Sequence, residues 1–414
     1  MTTVSSTAGA AAQWRRKVWL LVAGSTLAYL TLGCYAAVLP GYVLHHLGLS
    51  NAALGLAMGV TGVVAVGLRP FGGSWGDRYG RRPLAVAGAA ILGAGSGVLI
   101  GPGVLGVIVV GRLLTGAGDA LFITATMAWA ADAAEPERRG RAMATIGMSL
   151  WLGLALGPQW AVWTRDHFGY DGVWLGAAGF SLLAALLIWL VGPTPRPPAP
   201  AAGETYVKIP RGAILPAVAM LFVCYGNAVF ETFGIVHLTG RGVSSGAGIG
   251  GAASVFTVVA VVTFLGRFLG GMLSDRIGPR PVGIAGVLSV AAAYLVLAAA
   301  SDFVVAAIGG ALLGLGLALV YPSLSLMVTR RVGPNERGAG LGVFLAALDV
   351  TFAIGPPLGS LVVGAASTGT ALWTAGLVCV LALPIVLIAG NAPAGPDPDE
   401  GLELAEELPP APAV

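Results

Sequence analysis

Long, uninterrupted apolar runs limit the fold of this chain more than any other feature. Val18 to Leu39 and Phe180 to Val191 are examples, and similar runs recur along nearly its whole length. A helical run of about 20 apolar residues matches the hydrocarbon core of a bilayer. Only helices and closed barrels satisfy their own backbone polar groups in lipid. A barrel would show shorter, alternating segments, so helices are expected. Composition agrees: of 414 residues, 56% are hydrophobic and 10% charged, against about 25% charged in a soluble domain. Six of the 19 acidic residues lie beyond residue 396, leaving too few charges to cover a water-facing surface. The fold class expected is an all-α multi-pass membrane protein. A net charge of +3 gives no reason to expect a nucleic-acid partner.

Turn chemistry such as Gly101-Pro102-Gly103 and Gly192-Pro193 divides the apolar runs. Twelve spans result, at 18–40, 50–71, 84–102, 104–131, 141–163, 172–191, 212–239, 247–269, 282–300, 303–329, 338–363 and 370–390. Arg15, Arg16 and Lys17 precede span 1, and Arg78, Arg81 and Arg82 follow span 2. Later clusters follow spans 4, 6, 8 and 10 on the same side, while Arg165 and Arg241 alone fall on the other. Arg69 and Arg267 sit at the inner ends of spans 2 and 8. Basic residues mark the cytoplasmic side, so both termini are expected in the cytoplasm and the protein in the plasma membrane. Its domains would be a cytoplasmic segment 1–17, a six-helix bundle 18–191, a Pro-rich linker 192–211, a second six-helix bundle 212–390 and an acidic, disordered tail 391–414. Cys34, Cys224 and Cys379 lie inside apolar runs and read as free thiols packed as small hydrophobes.

One offset relates the two halves. Adding 198 carries Arg69 to Arg267, and Gly73, Asp77, Arg78, Gly80, Arg82 and Pro83 to Gly271, Asp275, Arg276, Gly278, Arg280 and Pro281. It also carries Gly116 and Gly118 to Gly314 and Gly316, and Gly157-Pro158 to Gly355-Pro356. A single offset over some 90 residues points to a duplicated six-span unit, in which both copies insert with the same topology.

On these residues the chain resembles the major facilitator superfamily. Gly73-x-x-x-Asp77-Arg78-x-Gly80-Arg81-Arg82 between spans 2 and 3 is similar to that family's signature loop, and Gly271-x-x-x-Asp275-Arg276-x-Gly278-x-Arg280 repeats it between spans 8 and 9. The resemblance covers residues 15–390. It implies two pseudo-symmetric bundles rocking about a midplane site, and the drug/proton antiporter-like efflux members are the nearest in pattern. It also implies that the loop is a cytoplasmic latch for the outward-open state, with Arg78, Arg81 and Arg82 reaching Asp132 and Glu135. Topology anchoring by positive charge is the plainer alternative. Gly153-x-x-x-Gly157-Pro158 in span 5 is similar to the family's antiporter motif, although Trp160 and Ala161 stand where glycine is usual. Its partner Gly355-Pro356-Pro357-Leu358-Gly359 comes closer to the pattern. Small residues at this spacing also serve close helix packing alone.

Charges inside the membrane are costly unless they function or pair. Arg112 and Asp119 share a face of span 4 but lie about 10 Å apart along it, too far to pair directly. Arg112-x-x-x-Gly116 resembles the span-4 motif that the family links to proton coupling. The alternative is a buried ion pair that fixes helix packing. Span 7 carries Tyr225, Asn227 and Glu231, with the last two on one face. The repeat mates of Arg112 and Glu231 are Gly310 and Gly33, so each charge belongs to one half only. The resemblance places spans 1, 4, 7 and 10 around the central cavity, where Arg112, Asp119 and Glu231 would face substrate and protons. Tyr29, Tyr35 and Tyr321 would add a polar-aromatic lining. Asp349 in span 11 marks a second region near Gly355-Pro356. His45, His46 and His237 read as interfacial and solvated.

The expected function is secondary active transport, most simply proton-coupled efflux of a small organic molecule or drug by a monomer. Proton-coupled uptake of an organic anion or sugar, and a transport-inactive receptor, are the alternatives. An enzyme is not expected. The histidines form no metal-like cluster, no nucleophile–base pair stands out, and the Gly-rich runs lack the strand–turn–helix setting of a dinucleotide site. No cofactor is therefore expected.

Overall fold

The computed structural model describes residues 3–133, 139–192, 209–333 and 336–391. Nearly all of the expected linker and tail lies outside these residues, as does Glu135.

The described residues are almost wholly helical. They form α1 (Thr3–Gly41), a π-turn Tyr42–His46, α2 (Asn51–Tyr79), α3 (Arg81–Val98), α4 (Leu105–Ala133), α5 (Arg139–Leu190), α6 (Arg211–Gly240), α7 (Ala252–Ile277), α8 (Pro279–Ala299), α9 (Phe303–Arg331), α10 (Arg337–Ala365), α11 (Thr368–Val380) and α12 (Ala382–Ala389). Ten helical stretches are long and apolar enough to cross a membrane. One of them, Thr145–Leu190, has 46 residues, which is about 69 Å of helix and about twice the hydrocarbon thickness. Gly169, at φ 71° and ψ −172°, breaks α5 into two limbs. The two limbs are expected spans 5 and 6, joined at the non-helical Gly169. The 18 residues of α3 make about 27 Å and pack along α4, and α11 with α12 forms one pass. Counted this way, the passes match the twelve expected.

The signature segments differ from expectation. α2 continues to Tyr79 and α7 to Ile277, so Asp77, Arg78, Asp275 and Arg276 lie on helix ends rather than in loops. Each reversal is confined to one residue, Gly80 at φ 98° or Gly278 at φ 88°. Only glycine takes that conformation cheaply, and the next helix starts at the following residue. We call this end of the molecule the motif face. On the opposite face, helix starts are closed by side-chain caps: Ser50 accepts from the Ala53 N–H, Asp302 from the Val304 and Val305 N–H groups, and Ser367 from the Thr370 N–H.

The duplication is also present in the packing. Within the first half, a Cβ on Gly88 would lie 2.6 Å from the Phe122 nitrogen, and one on Gly118 2.5 Å from the Leu92 nitrogen. Within the second, a Cβ on Gly286 would lie 3.0 Å from the Val320 nitrogen, and one on Gly316 2.8 Å from the Val290 nitrogen. These four pairs are related by the same 198-residue offset. α3 against α4 and α8 against α9 therefore make the same backbone-to-backbone contact, which small residues permit in lipid.

Candidate functional site

The two halves meet through α2 against α10, α5 against α7 and α1 against α6. On the opposite face the first pair is in backbone contact. A Cβ on Gly55 would lie 2.8 Å from the Pro356 carbonyl oxygen, one on Gly59 2.9 Å from the Ala353 oxygen, and one on Gly62 2.3 Å from the Ala353 nitrogen. Toward the motif face, a Cβ on Gly73 of α2 or Gly342 of α10 would meet nothing within 4 Å. The second pair is tied on the opposite face as well. Gln159 donates to Ser254 Oγ at 2.9 Å and accepts from the Gly248 N–H at 3.1 Å. Thr257 donates to the Ala155 carbonyl at 2.7 Å, and Arg165 donates to the Ser245 carbonyl at 2.9 Å. The halves are closed on the opposite face and part toward the motif face.

A narrow cleft lies at this closed junction. It is lined by Ala36, Trp151, Leu154, Pro158, Asn227, Phe230, Glu231, Phe256, Val259 and Ala260. Asn227 Nδ2 donates to Glu231 Oε1 at 2.8 Å, as their spacing on one helix face predicts. Among the described residues Glu231 forms no salt bridge. The cleft thus offers a carboxylate, an amide and an aromatic wall contributed by both halves.

The other expected site residues are distributed differently. Arg112 does not line this cleft. It is 5% exposed, packs inside the first half, donates from Nε to the Ala57 carbonyl at 3.2 Å and lies 4.6 Å over the Tyr35 ring. Tyr35 shares hydrogen bonds with Ser96 (2.9 Å) and Thr115 (3.3 Å), and Tyr29 packs edge-on to Phe122. Both tyrosines are buried inside the first half rather than lining the cleft. Asp349 is not a separate region. Arg69 Nε lies 2.6 Å from Asp349 Oδ2 and Arg69 Nη2 lies 3.8 Å from Asp119 Oδ2. The sequence marks Arg69 as an inner-end charge, and its recurrence as Arg267 is the signal of a larger role. One arginine of the first half thus serves a carboxylate from each half. His237 is buried at 4% exposure and bonds Thr368 Oγ1 at 3.0 Å, so it is not solvated. His45 and His46 are exposed as expected.

At the motif face Arg81 alone gathers the acidic groups. It bonds Asp77 at 2.6 Å, Asp132 at 3.0 Å and the Gly73 carbonyl at 3.2 Å. Arg78 lies over the neighbouring Tyr79, and Arg82 donates to the Trp189 carbonyl and stacks on its ring at 3.9 Å. Neither is among the partners of Asp132: Arg78 is engaged by Tyr79 on the end of α2, and Arg82, on α3, by Trp189. In the second copy Arg280 bonds Asn391, and Asp275 and Arg276 form no ion pair among the described residues. In span 5, Cβ atoms on Gly153 and Gly157 would lie 2.6 Å from the Tyr29 carbonyl carbon and the Leu30 oxygen. Around Gly355 and Gly359 the nearest atoms are side chains, Ala228 Cβ at 2.8 Å and Val229 Cγ2 at 3.0 Å. The copy less like the family pattern makes the tighter contact.

Removing Arg69 leaves two carboxylates without their cation. Breaking such a pair by deleting one partner costs about 3 kcal/mol or more. Arg69→Ala should therefore melt well below wild type, and adding Asp349→Asn should restore part of the loss. Thermal unfolding of the purified single and double variants checks this.

A family model for the Major Facilitator Superfamily matches residues 21–261 and, in a second match, 218–413. An uncharacterized MFS-type transporter of Salmonella typhimurium is 26% identical over 347 residues, spanning 81% of this chain and 86% of that relative. Solved structures agree on the fold. A bacterial homolog of the human lysosomal transporter Spinster, in an inward-facing and occupied conformation, has 15% identity and a TM-score of 0.76, covering 95% of this chain and 98% of that one. The inward open xylose transporter XylE from E. coli has 17% identity and a TM-score of 0.73, covering 95% and 99%. With a duplicated helical bundle, a cleft between its halves and a family match over most of its length, the chain belongs to the Major Facilitator Superfamily.

Proposed function

We propose that this alternating-access membrane transporter exports a small organic molecule in exchange for protons, with Glu231 as the group that takes the proton. One observation carries the reading. Among the described residues, Glu231 is the carboxylate of the cleft and has an amide beside it and no salt bridge, with Arg112 the cation that acts on it through space, whereas Asp119 and Asp349 are both held by Arg69. A carboxylate without a direct ion pair can be neutralised by a proton or by a positively charged substrate group, one at a time. That exclusion is the basis of exchange.

The basic clusters make the motif face cytoplasmic, so this conformation opens inward. In the opposite state the motif ends of α2 and α10 would approach. The Asp77–Arg81–Asp132 cluster, which is internal to the first half here, would then brace that closure. The Gly153/Gly157 contact beneath Pro158 supports the antiporter resemblance, because it fixes the α1–α5 wall from which the cleft is built.

Vesicles of opposite orientation test the direction. Everted vesicles acidified inside should accumulate an exported compound, with recovery of a quenched pH-gradient dye as protons leave. Accumulation instead by right-side-out vesicles in external acid would establish uptake by symport and reject export.

A further inference from the structure

Arg267 is the repeat mate of Arg69, and residue 151 is the repeat mate of residue 349 at the same 198-residue offset. The structure keeps this pairing. Arg69 meets Asp349 across the halves, and Arg267 meets Trp151 across the halves, with its guanidinium 5.3 Å from the Trp151 ring centre. It also lies 4.6 Å from the Tyr321 ring centre. Where symmetry would put a carboxylate, Arg267 therefore has an indole. Among the described residues it has no salt bridge, and its buried Nε has no hydrogen-bond acceptor; nor does the buried Trp151 Nε1. Buried donors without acceptors are rare in folded proteins, and both of these lack the same kind of partner. Aromatic faces hold a guanidinium in place but do not neutralise it.

Trp151 also lines the Glu231 cleft, as do Val259 and Ala260 of α7. Ala260 and Arg267 are seven residues apart, two turns along one face and about 10 Å along the helix axis. A carboxylate without a salt bridge and a guanidinium without an anion thus flank one tryptophan between the halves.

We propose that the transported molecule is a small zwitterion. Its anionic group accepts from Arg267 and the Trp151 N–H, its body rests on Trp151 and Tyr321, and its ammonium group occupies Glu231. This rests on the exchange reading above and names its substrate class. The ammonium end competes with the proton, and the anionic end anchors the molecule without disturbing that competition. An anion alone would favour a proton on Glu231 and would be carried with it, not against it.

The test uses 4-(aminomethyl)benzoate as the probe, with 4-methylbenzoate and 4-methylbenzylamine as singly charged analogues, titrated calorimetrically into the purified full-length protein. A charge-assisted contact at each end should make the zwitterion bind at least about tenfold more tightly than either analogue. Arg267→Gln should lower zwitterion affinity to that of the amine, with Arg267→Lys recovering part. Glu231→Gln should lower it to that of the benzoate. Arg267→Gln removes an uncompensated charge and should melt no lower than wild type, which separates binding from folding. No saturable zwitterion binding to wild type, or equal binding of the amine, would overturn the proposal. Unchanged affinity in Arg267→Gln with loss in Glu231→Gln would remove the anion site and leave proton exchange standing. Loss in Arg267→Gln with no change in Glu231→Gln would remove Glu231 from the exchange and, with it, the zwitterion.

Discussion

Glu231→Gln should abolish compound-driven proton movement while the protein still inserts and folds. Glutamine keeps the shape and can still bond Asn227, whose amide is 2.8 Å from the carboxylate. No salt bridge is broken, since Arg112 acts on Glu231 only through space, so the destabilisation that follows from breaking a buried ion pair does not arise. What is lost is the group that a proton and a substrate cation occupy in turn. In everted vesicles, a compound that makes wild type release protons should produce only background dye recovery with the variant. Asp119→Asn is expected to act more weakly, because Asp119 lies 3.8 Å from Arg69, which keeps its 2.6 Å contact with Asp349. Full proton release from Glu231→Gln would remove this residue from coupling.

The second large effect is expected at Gly62. A Cβ there would lie 2.3 Å from the Ala353 nitrogen and 2.5 Å from the Phe352 carbonyl carbon. Both are backbone atoms of α10, which cannot rotate aside as a side chain can. Gly62→Val is therefore incompatible with closure on the opposite face. Overpacking of a tight contact costs about 1–3 kcal/mol, a shift of roughly 5- to 150-fold in a two-state ratio. The variant should sit with the opposite face open and should transport at background. Gly67→Ala is the matched control. It lies five residues on in the same helix, and a Cβ there would meet nothing within 4 Å.

Much of this was legible in the sequence. Apolar runs and sparse charge led to the membrane bundle, and the 198-residue offset reappears as matched α3–α4 and α8–α9 contacts. Asn227 and Glu231, four residues apart on one helix, do meet. Less was legible where a side chain's role depends on the other half. Spacing along span 4 showed that Arg112 and Asp119 cannot pair, but not that Asp119 would join Arg69, 50 positions away, or that Arg69 would reach Asp349, 280 positions away. A charge at membrane depth marks Arg112 as a cavity residue in the sequence. It is instead absorbed by a carbonyl of α2 and the ring of Tyr35, a solution that periodicity does not encode. The signature loop proved largely helical because one glycine with positive φ makes each turn, and a Gly-rich string does not say which glycine that is.

The account stands or falls on a site between the halves that is open to one face at a time. Leu154 lines the cleft, and Cys34, Cys224 and Cys379 are buried, so Leu154→Cys offers a single reporter for a membrane-impermeant maleimide. In an otherwise wild-type chain, it should be modified in everted vesicles, where the motif face is outward, and spared in right-side-out ones. Adding Gly62→Val should reverse that pattern. Modification from both faces, or the same sidedness in both backgrounds, would contradict the account.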